Sequence, residues 1–178
     1  KWVDESAVAY VMNESDNYAL EEALQIKEAH GEGEVVAVSL GPERVQKTVR
    51  EALAKGADRA IHIKMDTVEA IDPLVTAGHL KNPLEEENFD LIFTGLQSDD
   101  LGMGQTGVIL GEMLGMTTAS LVMATEVQEG SIKVKRELES GWFQWISMPT
   151  PASITIQSGI NQPRYPSLKG IMGAKKKE

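Results

Sequence analysis

Cysteine is missing from this sequence, which excludes disulfides, thiolate metal sites and cysteine nucleophiles and favours a reducing compartment. Positive charge is scarce as well: 17 Lys and Arg face 27 Asp and Glu, for a formal net charge of −10. No basic stripe offsets that excess, so nucleic acid is not an expected partner. The local exception is the crowd of Lys169, Lys175, Lys176 and Lys177 near the C-terminal end. No apolar run reaches the roughly 20 residues of a membrane-spanning helix, and no signal-peptide pattern opens the chain, so it is not expected to be membrane-embedded. The first residue is Lys1 rather than Met, which points to a processed chain or a fragment. His30, His62 and His79 stand at no metal-ligand or triad spacing, and Asp99-Asp100 lack a third ligand nearby. No metal site and no catalytic residue is therefore expected.

What is present is a well-patterned chain of 178 residues, 42% hydrophobic, enough for one core. Residues 1–160 read as a single α/β domain, and 161–178 as a loop with a basic tail. The stretch Phe89–Gly115 carries the most information. Its first part is a short apolar run, as for a parallel strand covered on both faces. Its last part places Val108, Leu110, Met113 and Leu114 at near-helical spacing and stops at Gly115. Between them Gly102, Gly104 and Gly107 let the main chain turn tightly and approach a ligand. A helix starting there presents unpaired N–H groups, which suits a phosphate. The plainer reading is a loop and helix start without a ligand, and Asp99 and Asp100 disfavour an anion unless they point away or meet ribose hydroxyls.

Upstream, the segment with Trp2, Val3, Val8, Tyr10 and Val11 is poorly patterned. Ser15 or Asp16 caps a helix over 17–29 that stops at Gly31. A branched strand follows over 34–40, then a helix opened by Pro42 with Val45, Val49, Ala52 and Leu53 inward. A third apolar run covers 58–63. Asp72-Pro73 opens a helix with Leu74, Ala77 and Leu80 inward, which Pro83 must break or kink. This alternation predicts a parallel sheet with helices on both faces.

From Ala119 the rhythm changes to consecutive strands over 119–127, 131–139 and 142–148, joined by turns at Glu129-Gly130 and Ser140-Gly141. They form an antiparallel hairpin extension at about 119–148. A further strand runs from Pro151 to Gln157, and the rest is irregular. In 131–139, Arg136 falls on the apolar face with Ile132, Val134 and Leu138, so it needs a partner or an exit to water. The 142–148 strand is apolar on both faces; either the domain's own loops or something beyond it covers one of them.

Several stretches in order carry a family resemblance: Met12-Asn13 with 17–24, 38–42, 55–60, Thr94-Gly95-Leu96-Gln97-Ser98, Gln105-Thr106-Gly107, Arg136-Glu137-Leu138-Glu139, and Asn161 to Ile171. Together they resemble the beta subunit of electron transfer flavoprotein over nearly the whole chain. The resemblance implies a fold similar to adenine-nucleotide alpha-hydrolase domains. It implies an electron-transfer protein rather than an enzyme, paired with an alpha subunit that holds most of the FAD. A structural AMP would be surrounded by Asn13, the main chain at Leu40, and the 102–106 loop, with Gly102, Gly104, Gln105 and Thr106 at its phosphate end. Arg136 and Glu137 would face the partner's mobile flavin domain. Leu168 would dock into (acyl-CoA-type) dehydrogenases, and a membrane quinone oxidoreductase would take the electrons onward.

Compared with the family pattern, the opening strand with a Val-Lys motif and the C-terminal region beyond Lys177 are absent. Gly104 stands where some members have asparagine, Ser140 replaces a glycine of the turn, and Pro83 interrupts a helix. Two alternatives accompany this reading: a bifurcating variant with a second FAD in place of AMP, and a standalone ATP-binding regulator of the universal-stress type. An ATP pyrophosphatase-type ligase needs a Ser-Gly-Gly-x-Asp-Ser-like loop, which the sequence lacks. The expected compartment is the bacterial cytoplasm, or the mitochondrial matrix in a eukaryote.

Overall fold

The computed structural model describes residue 4, residues 7–66 and residues 72–177. Trp2 and Val3 lie outside the described residues, and 8–13 form neither helix nor strand. The first half alternates as its periodicity predicts: α1 (Glu14–His30), β1 (Val36–Gly41), α2 (Gln46–Lys55), β2 (Arg59–Lys64), α3 (Pro73–Glu85), β3 (Leu91–Gly95) and α4 (Thr106–Met113). The second half is β4 (Thr117–Gln128), β5 (Ser131–Glu137), β6 (Phe143–Pro149), β7 (Ala152–Ile156) and α5 (Leu168–Ala174).

The strands form two sheets. β1 and β2 pair in parallel, and the larger sheet runs β3-β7-β4-β5-β6. Its first three strands are mutually parallel and its last two antiparallel. β7, the last strand in sequence, inserts between β3 and β4, and all five of its residues are buried. Its residues still alternate: Ala152, Ile154 and Ile156 are apolar, while Ser153 and Thr155 lie against Gly111 and Gly107 of α4. Helices cover both faces. α1 lays Ala19 on a core built from Val122, Ile132, Val134, Ile154 and Ile156, while Leu24 joins Leu53 and Ala57 of the α2 side. On the opposite face, Ala77 and Leu84 of α3 meet Leu110 of α4 over Val38 and Ile92. Val38 of β1 and Ile92 of β3 thus share one core although no strand ladder joins them. This is an α/β fold with a parallel sheet, helices on both faces and an antiparallel extension. Among the described residues no helix is long and apolar enough to cross a membrane.

Four local expectations need correction. Helix α1 begins at Glu14, so Ser15 and Asp16 lie inside its first turn instead of capping it. α3 continues through Pro83 to Glu85; a proline two residues from the end forfeits one hydrogen bond without room for a kink to develop. Leu74 and Val108 face outward, whereas Ala77 and Leu80 of α3, and Leu110, Met113 and Leu114 in and just after α4, pack into the core as expected. The tail is not irregular throughout: Ser167 caps α5, its Oγ accepting from Gly170 N at 3.0 Å.

Candidate functional site

The open end of the parallel strands is where loops converge, and in such sheets that edge takes ligands. There the N-terminus of α1 is stitched to the chain leaving β3. Asn13 Nδ2 donates to Gln97 O at 2.9 Å, and Asn13 Oδ1 accepts from Asp99 N at 2.9 Å. Ser15 Oγ donates to Gln97 O at 2.7 Å, and Asp16 Oδ1 accepts from Gly95 N at 2.6 Å. Contact this close requires Gly95: an added Cβ would lie 2.4 Å from Ser15 Oγ and 2.7 Å from Asp16 N. Asp99 Oδ2 in turn accepts from Glu14 N at 3.1 Å. The helix is therefore capped from across the fold, by a residue 85 positions away. Sequence reasoning missed this because a cap is normally sought next to the helix.

The same hydrogen bonds shape the 96–105 loop. Asp99 is turned toward α1, and Asp100 Oδ1 accepts from Leu101 N at 2.7 Å, so both carboxylates have backbone partners. Gly102 (φ +62) and Gly104 (φ +64) take the left-handed conformation expected of a tight turn. Gln105 then precedes α4 without a side-chain cap, leaving the first N–H groups of Thr106 and its successors without that partner. Gly107 plays a different part from the one read in the sequence. It lies inside α4, where an added Cβ would meet Thr94 Oγ1 at 2.2 Å and Thr155 Cγ2 at 2.8 Å. Its role is to seat the helix on β3 and β7. The structure thus brings Asn13 together with the glycine loop, while Leu40 lies near the end of β1 in the smaller sheet.

Arg136 finds the partner its position demanded. A bulge interrupts the pairing of β4 between Ala119 and Val122, with Leu121 at φ +60. This turns Ser120 toward β5, so Arg136 Nε donates to Ser120 O at 2.9 Å and Nη2 to Ser120 Oγ at 3.3 Å. Glu137 Oε2 accepts from Gln157 Nε2 at 3.0 Å, which follows β7 at the same open edge. Beyond them β6 is the sheet's last strand. Ile146 and Met148 turn to the core, whereas Trp142, Phe143 and Trp145 are exposed. Lys133 lies 4.6 Å from the Trp145 ring and Lys135 4.0 Å from that of Phe143. Among the described residues no loop buries this edge; two lysines only shade it.

Leu168 is 82% exposed, in the company of Tyr165 and Met172. The lysines behind it are not all solvated: Lys177 Nζ donates to Leu53 O at 3.3 Å and Ala57 O at 2.6 Å, satisfying carbonyls at the end of α2. A pocket of about 320 Å³ between α1, α2 and 163–165 is lined by Asn17, Tyr18, Lys55, Arg164 and Tyr165. No residue of the 96–105 loop lines it.

Glu21, Glu28, Asp58 and Glu87 are held below their ordinary values by their partners, Glu21 and Asp58 against the effect of burial. Burial pushes Asp58 upward, but hydrogen bonds from Lys27 and from Val35 N outweigh it and hold it below its ordinary value of 3.8. Burial likewise raises Glu21, yet Arg164 and Gln25 carry it below its ordinary 4.5. Neither group is free to act as an acid or base near neutral pH.

The sequence profile of the electron transfer flavoprotein domain matches residues 1–178. The chain is 42% identical over 175 residues to the electron transfer flavoprotein subunit beta of Methylophilus methylotrophus, covering 97% of this chain and 66% of that one. It is 41% identical to the subunit beta of Bradyrhizobium diazoefficiens, covering 98% of this chain and 69% of the relative. To that of Dictyostelium discoideum it is 37% identical, covering 99% and 69%. It spans about two thirds of the length of these relatives. With an α/β fold whose loops converge at one edge of the strands, and with this agreement along all its residues, the chain belongs to the electron transfer flavoprotein domain family.

Proposed function

We propose that this protein is the beta subunit of a two-subunit electron carrier and that AMP binds where the 102–106 loop enters α4. The observation that carries the reading is the uncapped start of α4 behind a left-handed glycine turn, with the neighbouring Asp99 carboxylate committed to α1. Main-chain N–H groups and the positive end of the helix suit a phosphate group. The buried Thr94 Oγ1, beside Gly107 and without a hydrogen-bond partner, adds polarity under the first turn. Gly102, Gly104, Gln105 and Thr106 hold the phosphate, Asn13 fixes the loop's shape, and the main chain at Leu40 forms the far wall. AMP is structural in this arrangement, while FAD, held mostly by the alpha subunit, supplies the redox chemistry.

The protein's own part is positioning. The exposed aromatic edge of β6 receives the alpha subunit, with Arg136 and Glu137 turned to its flavin domain. Leu168 docks into an acyl-CoA-type dehydrogenase, and a quinone oxidoreductase receives the electrons in the bacterial cytoplasm or mitochondrial matrix. A standalone ATP-binding regulator of the universal-stress type would leave the β5–β6 extension and its aromatic edge without a purpose.

Native mass spectrometry of the full-length chain co-expressed with its companion subunit tests the reading. One AMP and one FAD per heterodimer is the expected result. Two FAD per heterodimer replaces AMP in the loop, and a homodimer binding ATP overturns the carrier altogether.

A further inference from the structure

After β7 the chain crosses α1 and is fastened there by polar side chains. Asn161 Nδ2 donates to Tyr18 O at 3.1 Å and to Glu22 Oε2 at 2.9 Å. Arg164 then grips two carboxylates at once. Its backbone N and Nε donate to Glu21 Oε2 at 3.1 and 2.8 Å, and its Nη2 to Glu21 Oε1 at 3.0 Å. Nη1 and Nη2 reach Glu28 at 2.5 and 3.0 Å. Glu21 and Glu28 are seven residues apart, two turns along one face of α1, and Glu21 is buried. Only a planar, five-donor guanidinium satisfies both acids together.

Farther on, α5 lies so close to α2 that a Cβ at Gly170 would come within 2.1 Å of Ala54 O, and Lys177 closes the segment on the end of α2. Between these fastenings the chain exposes Tyr165 (93%), Leu168 (82%) and Met172 (71%). Large apolar side chains held out by a tied-down backbone differ from a loose tail, whose ordering would be charged against binding.

We propose that Arg164 is a positioning residue for dehydrogenase docking: by locking the chain to Glu21 and Glu28 it sets the exposed Tyr165–Leu168 face before a partner arrives. This rests on the reading above that Leu168 meets the dehydrogenase. Removing the arginine alone would strand a buried carboxylate and endanger folding, so the informative variant is Arg164→Gln combined with Glu21→Gln. It is compared with Arg164→Lys and Leu168→Ala, each in the full-length, flavin-loaded complex, with a purified acyl-CoA dehydrogenase from the same source as the probe.

In the double variant, the KM of the carrier for the dehydrogenase is expected to rise roughly tenfold, the scale of ordering one or two side chains on binding. Expected alongside are kcat within about twofold, full flavin content and faster amide exchange over residues 165–171. Arg164→Lys, which keeps the charge but not the fork, should fall between wild type and the double variant. An unchanged KM in the double variant while Leu168→Ala raises it overturns the positioning role and leaves the docking reading standing. An unchanged KM in both overturns the docking reading and this proposal with it. Loss of flavin or of folding in Arg164→Lys makes the residue a structural tie and also overturns the proposal.

Discussion

At the junction of α1 and β3, polar side chains are spent inside the molecule: Asn13, Ser15, Asp16 and Asp99 bond to the backbone of Glu14, Gly95, Gln97 and Asp99, and Gly95 gives up its side chain so that they can meet. At the outer edge of the same sheet the opposite holds. β6 sends Ile146 and Met148 inward but leaves Phe143 and Trp145, with Trp142 just before it, to solvent. The first region is complete by itself, so its geometry is fixed before any ligand comes. The second leaves apolar area uncovered among the described residues. A cradle made of main chain needs rigidity, and rigidity comes from internal satisfaction. A docking edge needs surplus apolar area, which internal satisfaction would remove.

Substitutions that move a group from one regime to the other test this contrast. The largest effect is expected at the complete region. Gly95→Ala places a methyl group against Ser15 and Asp16 and should lower stability by about 3 kcal/mol, read as a fall in the urea midpoint. A change under about 0.5 kcal/mol would mean that the junction gives way and is not rigid. Next comes the unfinished region. Trp145→Ser should leave the stability of the isolated chain within about 0.5 kcal/mol and weaken assembly with the companion subunit by about 2 kcal/mol, measured by titration of the two subunits. Lower stability with undiminished assembly would reassign Trp145 to the protein's own core.

A smaller effect separates the turn from the strands it joins. Ser140 (φ +58) and Gly141 (φ +77) both hold left-handed angles in the three-residue connection 139–141, closed by Leu138 N donating to Trp142 O at 2.8 Å and Trp142 N to Glu139 O at 3.3 Å. Serine carries a Cβ in that conformation at a cost, so Ser140→Gly should raise stability by about 1 kcal/mol without altering assembly. The smallest effect concerns acid. Asp58 is held below its ordinary 3.8, so its pairing with Lys27 at 2.6 Å contributes stability above that pH. The contribution fades as pH falls through 3.8 toward the lower folded-state value. The pair is partly exposed, which limits it to about 0.5 kcal/mol. Urea midpoints followed downward in pH should show this loss in the wild type and not in Asp58→Asn.

The elements that periodicity defines were legible in the sequence. The apolar runs at 34–40, 58–63 and 89–95 each became a parallel strand, and Glu129-Gly130 and Ser140-Gly141 mark the two hairpin turns. Arg136 was legible as an anomaly, because a charge on an apolar face demands a partner; that Ser120 answers it depends on a bulge that no local pattern announces. What stayed hidden depends on long-range pairing. Asp99 as the cap of α1 and Arg164 as the bridge between Glu21 and Glu28 join residues 85 to 143 positions apart. Gly107 was misread because a glycine near a loop resembles a turn residue, whereas here it makes room for Thr94 and Thr155. Helix α5 was missed because Pro163, Pro166, Gly170 and Gly173 mask a short helix, and Gly170 is there for the sake of Ala54.

The outer rim of β6 bears on how cells must manufacture this polypeptide. A terminal strand with one row of main-chain groups unmatched and aromatic rings beside it is a template on which a further copy can add. Lys133 and Lys135 impede such stacking without sealing it. On the proposal that a companion subunit covers that rim, this chain made in surplus over its companion should collect in inclusion bodies.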